Sequence, residues 1–319
     1  MTLSVIGSGA FGTALAIAIA KGGKPVTLWA RSQAVAKTMQ DARENKDRLA
    51  HHRLPDAVTV TANIEEATSN EVLLIAVPMQ QLRSVCDRFA DEFHGKTLVA
   101  CCKGVELNTG LGPCEILSRY SDKVALLTGP SFAHDIAGGL PTALVLACAQ
   151  TETQTYLQNE ISTPTLRLYT SGDTVGAELG GAIKNVIAIA CGATIGAGLG
   201  DSARAALMTR GFAEMQRMAI ALGGAETTLS GLSGFGDLSL TCMSEGSRNF
   251  RYGLALGRGE VFDTSITVEG VATAKATLTK AQSLGIEMPI TACVDALASG
   301  AMDVPSAMKL LLSRPQKEE

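Results

Sequence analysis

"SVIGSGAFGTALAIAIAKGG", residues 4–23, is the stretch that decides the fold. A short apolar run ends at Gly7, and Gly7, Gly9 and Gly12 follow in G-x-G-x-x-G spacing at the start of a helical stretch. Each glycine has a separate task. Gly7 permits the tight turn out of the strand, Gly9 lets backbone amides approach a pyrophosphate, and Gly12 allows helix to pack closely on strand. The helix N-terminus adds partial positive charge. The motif by itself is weak, but a strand before it and a helix after it are the context that dinucleotide binding requires.

Outward from this unit, short β-branched runs recur: "VTLWA" (26–30), "VTVT" (58–61), "VLLIAVP" (72–78), "TLVACC" (97–102), "VALLTG" (124–129) and "TALVLA" (142–147). Between several of them lie helical segments such as "SQAVAKTMQDA" (32–42) and "MQQLRSVCDRFADEF" (79–93). This alternation predicts a parallel sheet with helices on both faces. After "TLRLYTSGD" (165–173) the strands stop, and the remainder is helical and punctuated by glycine. The fold class is therefore α/β: an N-terminal Rossmann-type doubly wound sheet over 1–172, binding the dinucleotide, and an all-α C-terminal domain over 173–319, binding substrate. Only the tail "SRPQKEE" (313–319) reads as solvated.

Bulk properties narrow the class. With 319 residues, 46% hydrophobic and 18% charged, the chain reads as globular and long enough for two domains. A net charge of −4 offers no bulk attraction for nucleic acid or an anionic membrane. The eight cysteines lack C-x-x-C or framework spacing, which suits a reducing, cytoplasmic compartment. No secretory signal is evident at the N-terminus. The uncharged run after Lys184 reads as short and glycine-interrupted for a membrane span, so no membrane insertion is expected.

Candidate site residues sit where strand ends and helix starts meet the sequence pattern. The second strand closes on "LWARS", with Arg31 where an acidic residue would contact a free ribose 2′-OH. Arg31 suits adenine stacking and a 2′-phosphate, favouring NADPH/NADP without excluding NADH/NAD; an exposed surface arginine is the alternative. Lys103 follows "LVACC" as a switch-point cation or as plain surface charge. Gly129, Pro130 and Ser131 follow the next strand, where the backbone amides of Gly129 and Ser131 can meet an anion. Lys184 is the sole charge between Glu178 and Asp201, next to Asn185, and its helical neighbours are mostly small: Gly180, Gly181, Ala177, Ala188 and Cys191, with Ile187 the larger one. Such a face serves close helix packing, or leaves room for a small ligand beside a desolvated amine suited to acid/base work. Asp237 lies in "SGFGDLSL", and Ser247, Arg248 and Asn249 form a compact donor group that suits a phosphate.

Together "GSGAFGTALA", "CKGVE", "GPSFAHDIAGGLPTALVLA", "GGAIKNVIAIACGATIGAGLGD" and "LSGFGDLSLTCMSEGSRNFRYG", with "TVEGVATAKA", resemble bacterial-type NAD(P)-dependent glycerol-3-phosphate dehydrogenase over nearly the whole chain. The resemblance implies cofactor contacts from Ala10, Phe11, Arg31, Lys103, Ala133, Arg248 and Glu269. It implies substrate contacts from Lys103, Gly129, Ser131, Lys184, Asp237, Thr241, Ser247, Arg248 and Asn249. Lys184 would be the acid/base, with Asn185 and Asp237 beside the reacting carbons, and no metal is involved. The substrate pair would be dihydroxyacetone phosphate and sn-glycerol 3-phosphate, made for glycerophospholipid synthesis; a homodimer follows from family analogy alone.

Two departures from the family pattern stand out. "NKDRLAHHRLPDAV" (45–58) is abbreviated, which puts a cofactor contact from this segment in doubt, and its His51 and His52 read as an exposed pair without ligand-spaced partners. Asp135 is one methylene shorter than the family's acidic residue after "GPSFA". Two rival readings remain: a ketopantoate-type or β-hydroxyacid dehydrogenase with a carboxylate-ended substrate, and a sensor that binds NADPH without turnover.

Overall fold

The strand alternation produces one large sheet in the computed structural model, which describes residues 3–313; the expected solvated tail lies outside the described residues from position 314. Ten strands are described: β1 (Leu3–Ile6), β2 (Val26–Trp29), β3 (Glu44–Asn45), β4 (Leu49–Arg53), β5 (Val58–Thr61), β6 (Val72–Ile75), β7 (Thr97–Ala100), β8 (Lys123–Thr128), β9 (Thr142–Ala147) and β10 (Leu166–Ser171). Eight of them form a sheet in the order β10-β9-β8-β7-β6-β1-β2-β5, and β3 pairs with β4 in a separate hairpin. The central strands β1, β6 and β7 are buried at every position, as sheets covered on both faces require.

The chain runs from β1 to β2 and on to β5, then returns to place β6 on the other flank of β1. The carboxyl ends of β1 and β6 thus bound a topological switch point, where ligands bind in open α/β sheets. Gly7 and Ala76 stand there: Gly7 N–H donates to the Trp29 carbonyl at 3.1 Å, and Ala76 N–H to the Ile6 carbonyl at 2.9 Å.

One pair departs from the parallel expectation: β8 and β9 are antiparallel. The reason is length. The intervening helix, Ala133–Gly138, has six residues and spans about 9 Å, too little to carry the chain back along a six-residue strand of about 20 Å. Gly139 then turns the chain in the left-handed region, with φ 79°. The next strand therefore enters from the same end.

Contacts divide the described chain into two units, 1–103 with 111–178, and 104–110 with 179–319. The division falls inside the helix Thr174–Gly196 and not ahead of it, and it assigns Gly104–Gly110 to the helical unit. Within that unit, Val105 packs against Ala182 and Ala276. The helix is 23 residues long, longer than its uncharged run suggested and long and apolar enough by composition to cross a membrane. Yet 89% of its apolar window is buried inside the protein, as in a core helix.

Glycines explain that burial. Gly192 and Gly196 lie against the backbone of Phe250 and Leu254, and reciprocally Gly253 and Gly257 lie against Ile189 and Ala193. The Thr174–Gly196 and Arg248–Arg258 helices therefore meet backbone to backbone. A buried carboxylate ties down another helix: Glu214 accepts from Ile290 N at 2.6 Å, Thr291 N at 3.1 Å and Thr291 Oγ1 at 2.9 Å, capping Pro289–Ala298.

Candidate active site

In the sheet unit, the three motif glycines differ in what surrounds them. Gly7 has φ +119°, and a Cβ there would fall 2.5 Å from the Ala76 carbonyl oxygen. A Cβ on Gly12 would strike the Gly7 carbonyl oxygen and sit 3.0 Å from Ala76 Cβ. At Gly9, by contrast, nothing beyond its own chain neighbours lies within 4 Å of a Cβ position among the described residues. The two outer glycines close the turn, and the middle one leaves open space above the helix Ala10–Lys21. That helix begins Ala10-Phe11-Gly12 with no carboxylate to offset its positive end, and Ala10 and Phe11 are half-buried on the sheet core. Open space over an uncompensated helix N-terminus fits a dinucleotide pyrophosphate.

Arg31 is exposed just beyond β2. Lys103, Gly129 and Ser131 come together: the Gly129 carbonyl accepts from Lys103 Nζ at 2.9 Å and from Ser131 Oγ at 3.0 Å. Ala133 opens the next short helix and packs on the same core as Ala10 and Phe11.

In the helical unit Lys184 is buried, with 6% exposure, beside Asp237 at 1% and Thr241 at 3%. Its Nζ donates to Asp237 Oδ1 and to Thr241 Oγ1, both at 2.7 Å. Thr241 Oγ1 in turn donates to the Asp237 carbonyl at 2.6 Å. The amine thus stands against a carboxylate and is not merely desolvated: burial favours its neutral form, and the carboxylate favours the ammonium.

Asp237 is delivered by a π-helical turn, Leu232–Gly236, a distortion that clusters at functional sites. Gly180, one turn before Lys184, is not an opening for a ligand: a Cβ there would lie 2.6 Å from the Ser233 carbonyl oxygen of that turn. Of the two uses of small residues beside Lys184, close packing therefore accounts for Gly180.

Asn185 belongs to a second chain of bonds. Its Oδ1 accepts from Asn249 Nδ2 at 2.9 Å, and Asn249 Oδ1 accepts from Gly270 N at 2.9 Å, next to Glu269 at the start of Glu269–Ser283. Ser247 caps its own helix by accepting from Phe250 N at 3.2 Å. With Asn249 and Ser247 so engaged, Arg248 is the exposed member of the trio, in the first turn of Arg248–Arg258. A guanidinium at the positive end of a helix is unfavourable alone, and an anion seated there reverses the balance.

Three features were not legible in the motifs. Asn45, on β3, reaches the glycine loop with bonds to Ser8 and Thr13. His52 has a partner after all: its Nε2 lies 3.1 Å from His134 Nδ1, 82 residues on. The expected exposed pair is thus split, His51 outward in the left-handed region with φ 69° and His52 half-buried. Glu178 accepts from Cys114 N at 2.9 Å, and burial pushes its carboxyl from an ordinary 4.5 up to about 7.

The Glu178 shift has a measurable sign. Between pH 4.5 and 7 the unfolded carboxyl ionises while the folded one keeps its proton, so stability falls as pH rises through that window. Glu178→Gln should flatten this slope, seen as a smaller loss of Tm from pH 5 to 7.5; an unchanged slope would contradict the assignment. The cysteines are all free, and burial pushes the Cys86 thiol up to about 12 and that of Cys242 well above its ordinary value, so neither is an activated nucleophile.

The chain matches two family models, described as the NAD-dependent glycerol-3-phosphate dehydrogenase N-terminus over residues 2–154 and C-terminus over 173–309. It is 58% identical over 321 residues to glycerol-3-phosphate dehydrogenase [NAD(P)+] of Ruegeria sp. (strain TM1040), and 56% identical over 321 residues to that of Roseobacter denitrificans, covering 100% of each chain in both cases. A crystal structure of glycerol-3-phosphate dehydrogenase from Coxiella burnetii superposes with a TM-score of 0.92 at 33% identity, covering 98% of this chain and 99% of that one. On its own residues and on these likenesses, the chain belongs to the NAD-dependent glycerol-3-phosphate dehydrogenase family.

Proposed function

We propose that the chain interconverts dihydroxyacetone phosphate and sn-glycerol 3-phosphate with NAD(P), and that Lys184 carries the proton. The observation that carries this reading is the buried Lys184 side chain, whose Nζ lies 2.7 Å from both Asp237 Oδ1 and Thr241 Oγ1. Held at the loop of Gly7, Gly9 and Gly12, a nicotinamide dinucleotide would supply or accept the hydride. As charge grows on the C2 oxygen of the ketone, Lys184 Nζ stabilises it and delivers a proton there; in the oxidising direction the neutral amine takes that proton back. Asp237 and Thr241 hold the amine in place, and Asp237 keeps the ammonium form accessible. Asn185, fixed through Asn249, orients a substrate hydroxyl. Arg248, Ser247 and Asn249 bind the phosphate end, and that remote binding energy aligns the carbonyl. The resemblance also gives Lys103, Gly129 and Ser131 as substrate contacts, and Lys103 as a cofactor contact.

Both dinucleotides are accepted in this reading. The glycine loop holds the pyrophosphate through Gly7, Gly9 and Gly12, flanked by Ala10, Phe11 and Ala133. Arg31 in place of an acidic residue supports use of NADPH, and the family resemblance adds Arg248 and Glu269 as cofactor contacts. The product feeds glycerophospholipid synthesis in the cytoplasm, where eight free cysteines are compatible with the redox poise. Assembly as a homodimer is part of the proposal on family likeness alone.

The test is NADPH oxidation with dihydroxyacetone phosphate beside a 2-keto acid ending in a carboxylate. Turnover with the second and none with the first would overturn the phosphate assignment. Arg248→Gln is expected to raise the KM for dihydroxyacetone phosphate roughly 10- to 100-fold, the worth of a charge-assisted contact. An unchanged KM would remove Arg248 from the phosphate site.

A further inference from the structure

Asn45 is 3% exposed, and its Nδ2 donates both hydrogens into the glycine-loop region: to the Ser8 carbonyl at 2.9 Å and to Thr13 Oγ1 at 2.8 Å. The orientation of the carboxamide is unambiguous, because a carbonyl oxygen only accepts. Ser8 lies between Gly7 and Gly9, and Thr13 lies in the first turn of the helix, where its own N–H donates to the Gly9 carbonyl at 2.9 Å. One side chain therefore staples the loop to the helix it opens.

The bond to Ser8 has a directional consequence. In a trans peptide the C=O of one residue and the N–H of the next point in opposite directions, and no described peptide is cis. With the Ser8 carbonyl drawn toward buried Asn45, the Gly9 N–H of the same peptide faces away from it. Gly9 is exposed there, with nothing beyond its own chain neighbours within 4 Å of its Cβ position among the described residues. Asn45 itself is delivered by a built turn. Arg43 leaves the helix Gln33–Ala42 in the left-handed region with φ 52°, and its guanidinium donates to the carbonyls of Pro55 and of Val58, the latter at 2.9 Å. The segment between folds back as the β3–β4 hairpin.

We propose that Asn45 is a positioning residue of the dinucleotide site, orienting the Ser8–Gly9 peptide so that the Gly9 N–H meets the pyrophosphate. This rests on the dinucleotide reading above and adds a residue from the segment whose cofactor role the sequence left in doubt. Asn45→Ala and Asn45→Asp both remove the donor, and Asn45→Gln keeps it on a longer stem. With saturating dihydroxyacetone phosphate, the first two should raise the KM for NADPH about tenfold or more, the scale of one lost buried hydrogen bond with its unpaired partner. The KM for dihydroxyacetone phosphate and kcat should stay within about twofold, and Asn45→Gln should lie nearer the wild type.

A merely structural role would move both KM values together, and that result would overturn the proposal. So would an unchanged KM for NADPH in a folded Asn45→Ala protein, or failure of all three variants to fold. Direct NADPH titration of the same proteins keeps the test independent of turnover. If the wild type binds NADPH but does not reduce dihydroxyacetone phosphate, the proposed reaction fails while the Asn45 effect on binding is still read.

Discussion

Lys184→Ala is expected to lower kcat about 10²- to 10⁴-fold, the usual contribution of a positioned acid/base, while leaving NADPH affinity near the wild-type value. The same substitution also leaves Asp237, 1% exposed, as a buried carboxylate without the ammonium at 2.7 Å. Breaking one side of a buried pair costs about 3–5 kcal/mol, so loss of activity could be confused with loss of fold. The double variant Lys184→Met/Asp237→Leu separates the two. It replaces the pair with apolar side chains, which is often neutral for stability, and should recover most of the lost Tm without recovering turnover. Turnover within about tenfold of wild type in either protein would reject Lys184 as the proton carrier.

At the glycine loop, Gly9→Ala and Gly12→Ala should part company although they lie three positions apart. A Cβ on Gly12 meets the Gly7 carbonyl oxygen, Ala76 Cβ at 3.0 Å and Val5 Cγ1 at 3.2 Å, so the helix must move off the strand. The expected cost is about 1–3 kcal/mol of stability, together with loss of NADPH affinity as the loop shifts. Gly9→Ala meets nothing beyond its own chain neighbours within 4 Å among the described residues, so its Tm should be unchanged. Its methyl group occupies the space assigned to the pyrophosphate, and NADPH affinity should fall roughly tenfold, about 1.4 kcal/mol. Thermal melts with and without NADPH read both quantities. A destabilised Gly9→Ala protein with unimpaired binding would place the cofactor elsewhere.

These two sites differ in how much the sequence announced. The G-x-G-x-x-G spacing pointed to the loop because each glycine acts on chain within a few residues or on the strand beside it. Lys184 was conspicuous as one charge in an apolar helix, and the resemblance set Asn185 and Asp237 beside the reacting carbons with Thr241 among the substrate contacts. What the resemblance could not convey is that the carboxylate sits directly on the amine, which changes the expected state from a desolvated base to a held ion pair. The trio Ser247, Arg248 and Asn249 looked uniform in sequence. In the fold it divides by task into a helix cap, an exposed cation and a buried link from Asn185 to Gly270.

The sequence by itself determined the alternating strands of the sheet unit, the change to helices near residue 172, and the need for glycine at Gly7 and Gly12. Those features follow from periodicity and from backbone geometry, which neighbouring residues set among themselves. Only the tertiary structure decided that β9 runs antiparallel to β8, that Gly180 is filled by the Ser233 turn, and that burial raises the Glu178 carboxyl above its ordinary range. It alone brought Asp237 to Lys184 across 53 positions, Asn45 to Ser8 across 37 and His52 to His134 across 82. Contacts at such separations depend on where whole elements pack, and no local pattern in the chain encodes that arrangement.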